Sequence, residues 1–209
     1  MAKFVTKIVP ADQITRVYLI RHGAVGEEWN DRVYGQMDVP LSEKGRSQAD
    51  ALSERMADMS LDAVYASDLS RAAETAARVA KAHDLSVHTV SALREASFGH
   101  WQGVEWSDVL DRFADEVRAR QSDVAGAKME NGESLVELHS RVMPAVSEIV
   151  KRHRGESVAI ATHGGVTRVV IADALSLDLA ACIRIEQSHC CLNKLDYYPD
   201  SVVVRLMNG

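Results

Sequence analysis

Three short runs of apolar and mostly β-branched or small residues, Val17-Tyr18-Leu19-Ile20, Ala63-Val64-Tyr65-Ala66 and Val158-Ala159-Ile160-Ala161, constrain this chain more than any other feature. Each has the length of a strand and is apolar on both sides of its alternation, so both faces need cover. Longer amphipathic stretches separate the runs. Buried strands alternating with helices are the pattern of an α/β chain, and the expected fold is three-layered, with a mostly parallel central sheet and helices on both faces.

Helix starts can be read from capping residues. Ser42 predicts a helix to about Met59, with Ala49, Leu52 and Met56 at helical spacing. Asp68 or Ser70 opens a second helix through about His83, and a third runs from about Gly165 to Leu175. A further strand is predicted near Val87 to Val90. From about 101 to 155 the pattern is helical and more polar, broken at Gly126, Asn131 and Gly132, which predicts a helical insertion beside the sheet and over the functional site. Alternation returns in 191–197 and 202–206 around the turn-forming Tyr198-Pro199-Asp200-Ser201, predicting a terminal hairpin. Neither a repeat nor a linker interrupts the 209 residues, so a single domain over 1–209 is expected.

The net charge of -6 excludes a global positive field for nucleic acid or an anionic membrane surface, so any anion site has to be a local cluster. Residues 1–10 interrupt their apolar side chains with lysines, and no run approaches the roughly 20 apolar residues of a spanning helix. Neither export nor membrane insertion is expected. Cys182, Cys190 and Cys191 are an odd set with two adjacent, which fits neither a disulfide framework nor a metal cage. Reduced thiols in a cytoplasm are the expectation.

In open α/β sheets ligands sit beyond the carboxyl ends of the strands. The three apolar runs lead into Arg21-His22-Gly23, Ser67-Asp68-Leu69-Ser70-Arg71 and Thr162-His163-Gly164-Gly165. Two arginines and two histidines are thereby brought together from distant segments. Guanidinium groups suit phosphate oxygens, and the helix beginning after His163 presents free N–H groups to an anion. Glycines beside the histidines allow close backbone approach and left-handed dihedrals. The other six histidines, His83, His88, His100, His139, His153 and His189, lack this context and read as surface or packed residues.

The residues Leu19-Ile20-Arg21-His22-Gly23 resemble the signature of the histidine phosphatase superfamily, which includes phosphoglycerate mutases, fructose-2,6-bisphosphatases and α-ribazole phosphatases. The resemblance continues through 34–45, Gln48-Ala49, 66–76, Leu93-Arg94-Glu95, 98–103, Asn131-Gly132-Glu133-Ser134, Arg141 and Thr162-His163-Gly164-Gly165. It implies a phosphoglycerate mutase-like fold and hydrolysis of a small phosphorylated metabolite through a phosphohistidine on His22. Arg21, Arg71 and His163 would surround the phosphoryl oxygens, and Glu95 would serve as acid and then base. Gly23 would fix the His22 tautomer through its carbonyl, while Tyr34, Gly35 and Gly164 would contact the phosphorylated ligand. No metal or cofactor is implied, because fixed cations take its place. A second copy of the chain is the one macromolecular partner left open.

The chain departs from the family pattern after Gly23, where Ala24 and Val25 replace polar residues, and at the position of a usual asparagine, which falls on Glu28 without a gap or on Asn30 with a shift of two. Either the shift lets Asn30 make the phosphate contact, the favoured reading, or Glu28 stands there, where a carboxylate repels a phosphate, and the pocket takes a different leaving group. The segment Ala96-Ser97-Phe98-Gly99 lacks the features that hold a mutase's second phosphate, so water is the expected acceptor, and the run 34–41 is similar to α-ribazole-type phosphatases. Mutase-type transfer is the alternative within the family. Outside it stand a metallohydrolase with His22, His163, Asp68 and Glu95 as ligands, which leaves the arginines unexplained, and a non-catalytic phospholigand-binding regulatory module.

Overall fold

The computed structural model describes residues 9–209; most of the segment expected to lack an export leader lies outside them. Six strands form one sheet in the order β3-β2-β4-β1-β5-β6: β1 (Thr15–Arg21), β2 (Ala63–Ala66), β3 (Val87–Thr89), β4 (Ser157–Thr162), β5 (Leu192–Tyr198) and β6 (Ser201–Leu206). The pairs β1/β4, β2/β4 and β2/β3 are parallel. Only β5 and β6 run antiparallel to their neighbours, β5 against β1 and β6 back along β5 through the expected hairpin.

The period of two along each central strand divides the core. Val17, Leu19, Ala63, Tyr65, Val158 and Ile160 pack on one face, with residues of α5 (Leu135–Arg152) and α6 (Gly164–Ala174). Tyr18, Ile20, Val64, Ala66, Ala159 and Ala161 pack on the other, with residues of α1 (Glu43–Met56) and α2 (Ser70–Ala82). The three layers are those expected from strands apolar on both sides.

Ser42 caps α1 as predicted, its Oγ accepting from Gly45 N–H at 3.1 Å, but the helix ends at Met56, short of Met59. Asp68 does not cap α2. Its carboxylate is held by Arg94 at 2.6 and 2.7 Å, and Leu69 takes the cap position. The span 101–155 divides into two kinds of structure. α3 (Trp106–Arg112) and α4 (Ala114–Ser122) stand beside the sheet on a small core of Val33, Trp101, Val109 and Met129. α5 instead belongs to the layers, because Leu138, Val142, Val146 and Ile149 recur at helical spacing and bury against the sheet. Ser134 and Glu137 close a capping box at its start. Among the described residues no helix is long and apolar enough to cross a membrane.

Candidate active site

Strand register decides where the polar residues fall. β1 and β4 pair Ile20 with Ala161 and Arg21 with Thr162, while β2 places Ala66 opposite the same Ala161. The chain leaves all three strands at one level: His22 N–H donates to the Thr162 carbonyl at 2.9 Å and Ser67 N–H to that of Ala161 at 3.0 Å. Arg21, His22, Ser67 and His163 therefore emerge together at the carboxyl edge of the sheet, where a ligand would bind.

His22 is almost wholly buried, 1% exposed. Its Nδ1 donates to the Gly23 carbonyl at 2.7 Å, which leaves Nε2 as the nitrogen with a free lone pair. The ring lies 5.2 Å from that of His163 and 5.6 Å from that of His189, centroid to centroid. Burial, followed by the positive charges of Arg71 and Arg21, holds the His22 pKa well below its ordinary value. Burial and then His22 and Arg71 do the same to His163. Both rings are thus kept neutral without an anion nearby.

The cations are fixed by the backbone. Arg71, in the first turn of α2, is completely buried and donates from Nη1 to Met37 O at 2.8 Å and from Nη2 to Gly35 O at 2.7 Å. Its guanidinium lies 5.0 Å above the Tyr34 ring. Arg21 donates to the Gln187 carbonyl at 2.5 Å and to His189 Nε2 at 3.0 Å. Nε2 of His163 is hydrogen-bonded to Ser67 Oγ at 2.8 Å. What these bonds leave over is Nε of Arg21, Nε of Arg71 and Nδ1 of His163, all buried and unpartnered. An unsatisfied buried donor costs on the order of 1–3 kcal/mol. An anion would offset that cost at each such donor that it reaches.

Glu95 is held by two backbone donors, Oε1 accepting from Ala96 N–H at 2.9 Å and Oε2 from Gly165 N–H at 3.0 Å in the first turn of α6. Close approach explains the glycine here: a Cβ on residue 165 would lie 2.3 Å from Oε1 of Glu95. Likewise a Cβ on Gly23 would meet the Gly45 carbonyl oxygen at 2.4 Å. Neither these two glycines nor Gly164 has a positive φ, so space rather than left-handed backbone is what they supply.

Arg21, His22, Tyr34, Gly35 and Glu95 line a cavity of about 240 Å3. Asn30 lines it too, whereas Glu28 is exposed and its carboxylate turns back over Gly26. Of the two positions, Asn30 is the one at the cavity. Arg71 and His163 are fully buried and do not themselves line the cavity, Arg71 lying against its lining residues Tyr34 and Gly35 and His163 next to His22, and Gly164 starts α6 beside Arg21. Asp68 is bound to Arg94, and among the described residues no three His, Cys, Asp or Glu side chains converge as metal ligands.

Two charged or titratable residues at the site were not anticipated. His189, read as surface or packed, touches Arg21 and neighbours His22, and burial with the charge of Arg21 lowers its pKa to about 4. It precedes β5, and only the antiparallel pairing of β5 with β1 brings that loop to the edge where His22 emerges. Arg32 lines the cavity and is paired with Glu105 at 2.6 Å. It follows no strand and adjoins no glycine, so nothing local marks it.

With this geometry in place, the chain can be compared with known proteins. A family model of the histidine phosphatase superfamily, branch 1, matches residues 17–209. The chain belongs to that superfamily. It is 36% identical over 163 residues to a metal-independent phosphoserine phosphatase of Arabidopsis thaliana, covering 76% of this chain and 68% of the relative. It is 29% identical over 184 residues to the probable phosphoglycerate mutase GpmB of an Enterobacter species, covering 87% of this chain and 85% of that one. The crystal structure of the α-ribazole phosphatase of Shigella flexneri superposes with a TM-score of 0.85 at 27% identity, covering 93% of this chain and 96% of that one. Superfamily membership and the six-stranded α/β fold thus agree with the resemblance carried by the short segments around His22 and His163.

Proposed function

We propose that this histidine phosphatase superfamily member hydrolyses phosphomonoesters of small metabolites in two displacements on His22. The observation that carries the reading is the Nδ1–H bond of His22 to the Gly23 carbonyl, which leaves the lone pair on Nε2 of a residue that lines the cavity with Arg21, next to the buried Arg71 and His163.

In the first step Nε2 attacks phosphorus, the ester P–O bond breaks, and protonated Glu95 gives its proton to the departing alkoxide. In the second, Glu95 takes a proton from water, the water oxygen attacks phosphorus, and the P–N bond breaks to return His22 and release phosphate. Arg21 and Arg71 stabilise the phosphoryl oxygens in both transition states, where preorganised charge is worth most. No step calls for a metal ion. His189 and the buried Gln187–Asn193 amide pair hold Arg21 in place from behind.

Water is favoured over a second substrate hydroxyl as acceptor. Arg32 is already paired with Glu105, and the far wall of the cavity is Phe98 and Trp106, which offer a second phosphate nothing. The three free cysteines accord with a reducing cytoplasm as the site of action. The reading is tested by assaying metal-free protein in excess chelator against a panel of phosphomonoesters that includes phosphoserine, α-ribazole phosphate and phosphoglycerates. Release of inorganic phosphate that chelator leaves unchanged is expected; activity restored only by added metal would contradict it.

A further inference from the structure

Trp106, Leu110 and Ile183 leave 43%, 56% and 56% of their surface exposed around a groove of about 320 Å3, whose walls also include Phe98, Val117 and Val124. Scattered exposed apolar residues are ordinary, but a concave contiguous set marks a contact site. Phe98 and Trp106 line this groove and the catalytic cavity alike, their rings edge to face with centroids 6.3 Å apart. Phe98 lies close to Gly35, where a Cβ would come within 3.0 Å of its Cδ2, and the Arg120 guanidinium covers its ring at 5.5 Å. Groove and catalytic cavity are thus adjacent, with these two rings common to their walls.

We infer that the groove is the leaving-group subsite, and that the substrate class is phosphomonoesters of alcohols carrying a bulky apolar, ring-sized body. This rests on the phosphatase reading above. The phosphoryl group occupies the cavity at His22, and the body crosses the Phe98–Trp106 wall into the groove. Cavity and groove together reach the size of small-molecule sites, about 300–1,000 Å3. Shared walls and concavity favour the substrate's own leaving group over a second copy of the chain, which would need a broad, self-complementary face.

The test compares ethyl phosphate with 2-(1-naphthyl)ethyl phosphate, whose leaving alkoxides are of similar basicity, so that a difference reports binding of the ring. Wild-type kcat/KM is expected to favour the naphthyl ester by about tenfold or more, the effect of removing on the order of 60 Å2 of apolar surface from water. Leu110→Asp and Ile183→Asp, at exposed positions outside the catalytic cavity, should abolish most of that preference and leave ethyl phosphate turnover unchanged. Absence of the preference, or its survival in both variants, would overturn the inference. So would a dimer in sedimentation that Leu110→Asp dissociates while the ester ratio stays the same, since the groove would then belong to a second copy. Turnover of neither ester contradicts the phosphatase reading instead; quenching of tryptophan fluorescence by the naphthyl ester, lost in Leu110→Asp, then supports the subsite, and no quenching refutes it.

Discussion

Arg141 and Glu133 form a bidentate pair across the start of α5, with Nε to Oε1 and Nη2 to Oε2 both at 2.7 Å. The same guanidinium donates to the backbone carbonyls of Ala92, Arg94 and Glu95, the last at 3.2 Å, and Gln36 Nε2 donates to the Glu95 carbonyl at 2.9 Å. Burial would raise the Glu133 pKa, but the bonds from Arg141 and Ser97 N–H hold it below its ordinary value. One planar fork therefore ties the backbone on which Glu95 rides to the helix that packs under the sheet.

Arg141 is accordingly a positioning residue for Glu95. Arg141→Met is expected to cost roughly 1–3 kcal/mol in urea unfolding, the range for losing hydrogen bonds to a charged group. It should also lower kcat more than it raises KM, and more for alkyl than for nitrophenyl esters; Arg141→Lys should recover only part, since lysine lacks the fork. Equal losses on both esters would mean that Arg141 supports the fold without placing the acid.

Glu95→Gln removes the proton donor and keeps the shape of the side chain, with one oxygen left to accept from either Ala96 N–H or Gly165 N–H. Hydrolysis of an alkyl phosphate is expected to fall by about a hundredfold or more, whereas p-nitrophenyl phosphate, whose leaving group needs little protonation, should lose far less. Parallel losses would take Glu95 out of the acid role.

Histidine burial makes a prediction about pH. His189 has a folded pKa of about 4 against an ordinary 6.5, so between those values the unfolded chain binds a proton that the folded chain does not. Its neutral form accepts from Arg21, and the stability tied to it is complete above pH 6.5 and lost as pH falls toward 4. His22 and His163, also depressed, act in the same direction. In phosphate-free buffer the urea midpoint should drop from pH 7 to pH 5, and His189→Gln, which keeps an acceptor for Arg21, should drop less. Identical slopes would show that His189 is not neutral in the folded protein.

The central layer was legible in the sequence because burial on both faces leaves a strand no polar positions, and residues 17–20, 63–66 and 158–161 have none. The chemistry at its edge followed, since parallel strands deliver their carboxyl ends to one side. Less legible were contributions set by pairing direction and packing. His189 reaches the site only through the antiparallel return of β5, and Arg32 only because the loop before Tyr34 folds over the cavity. α5 was expected as a helix, but its place in the layers was hidden in a polar stretch because its apolar stripe is narrow, one residue every three or four, and is recognisable only against the sheet it covers.

The direct test of the phosphohistidine is to mix the metal-free protein with 32P-labelled substrate, quench within milliseconds and determine how the label is held. Acid-labile, base-stable label in one-to-one amount or less, mapped to the peptide containing His22 and absent from His22→Asn, is the predicted result. Turnover by His22→Asn near the wild-type rate, or label on any other residue, would contradict it.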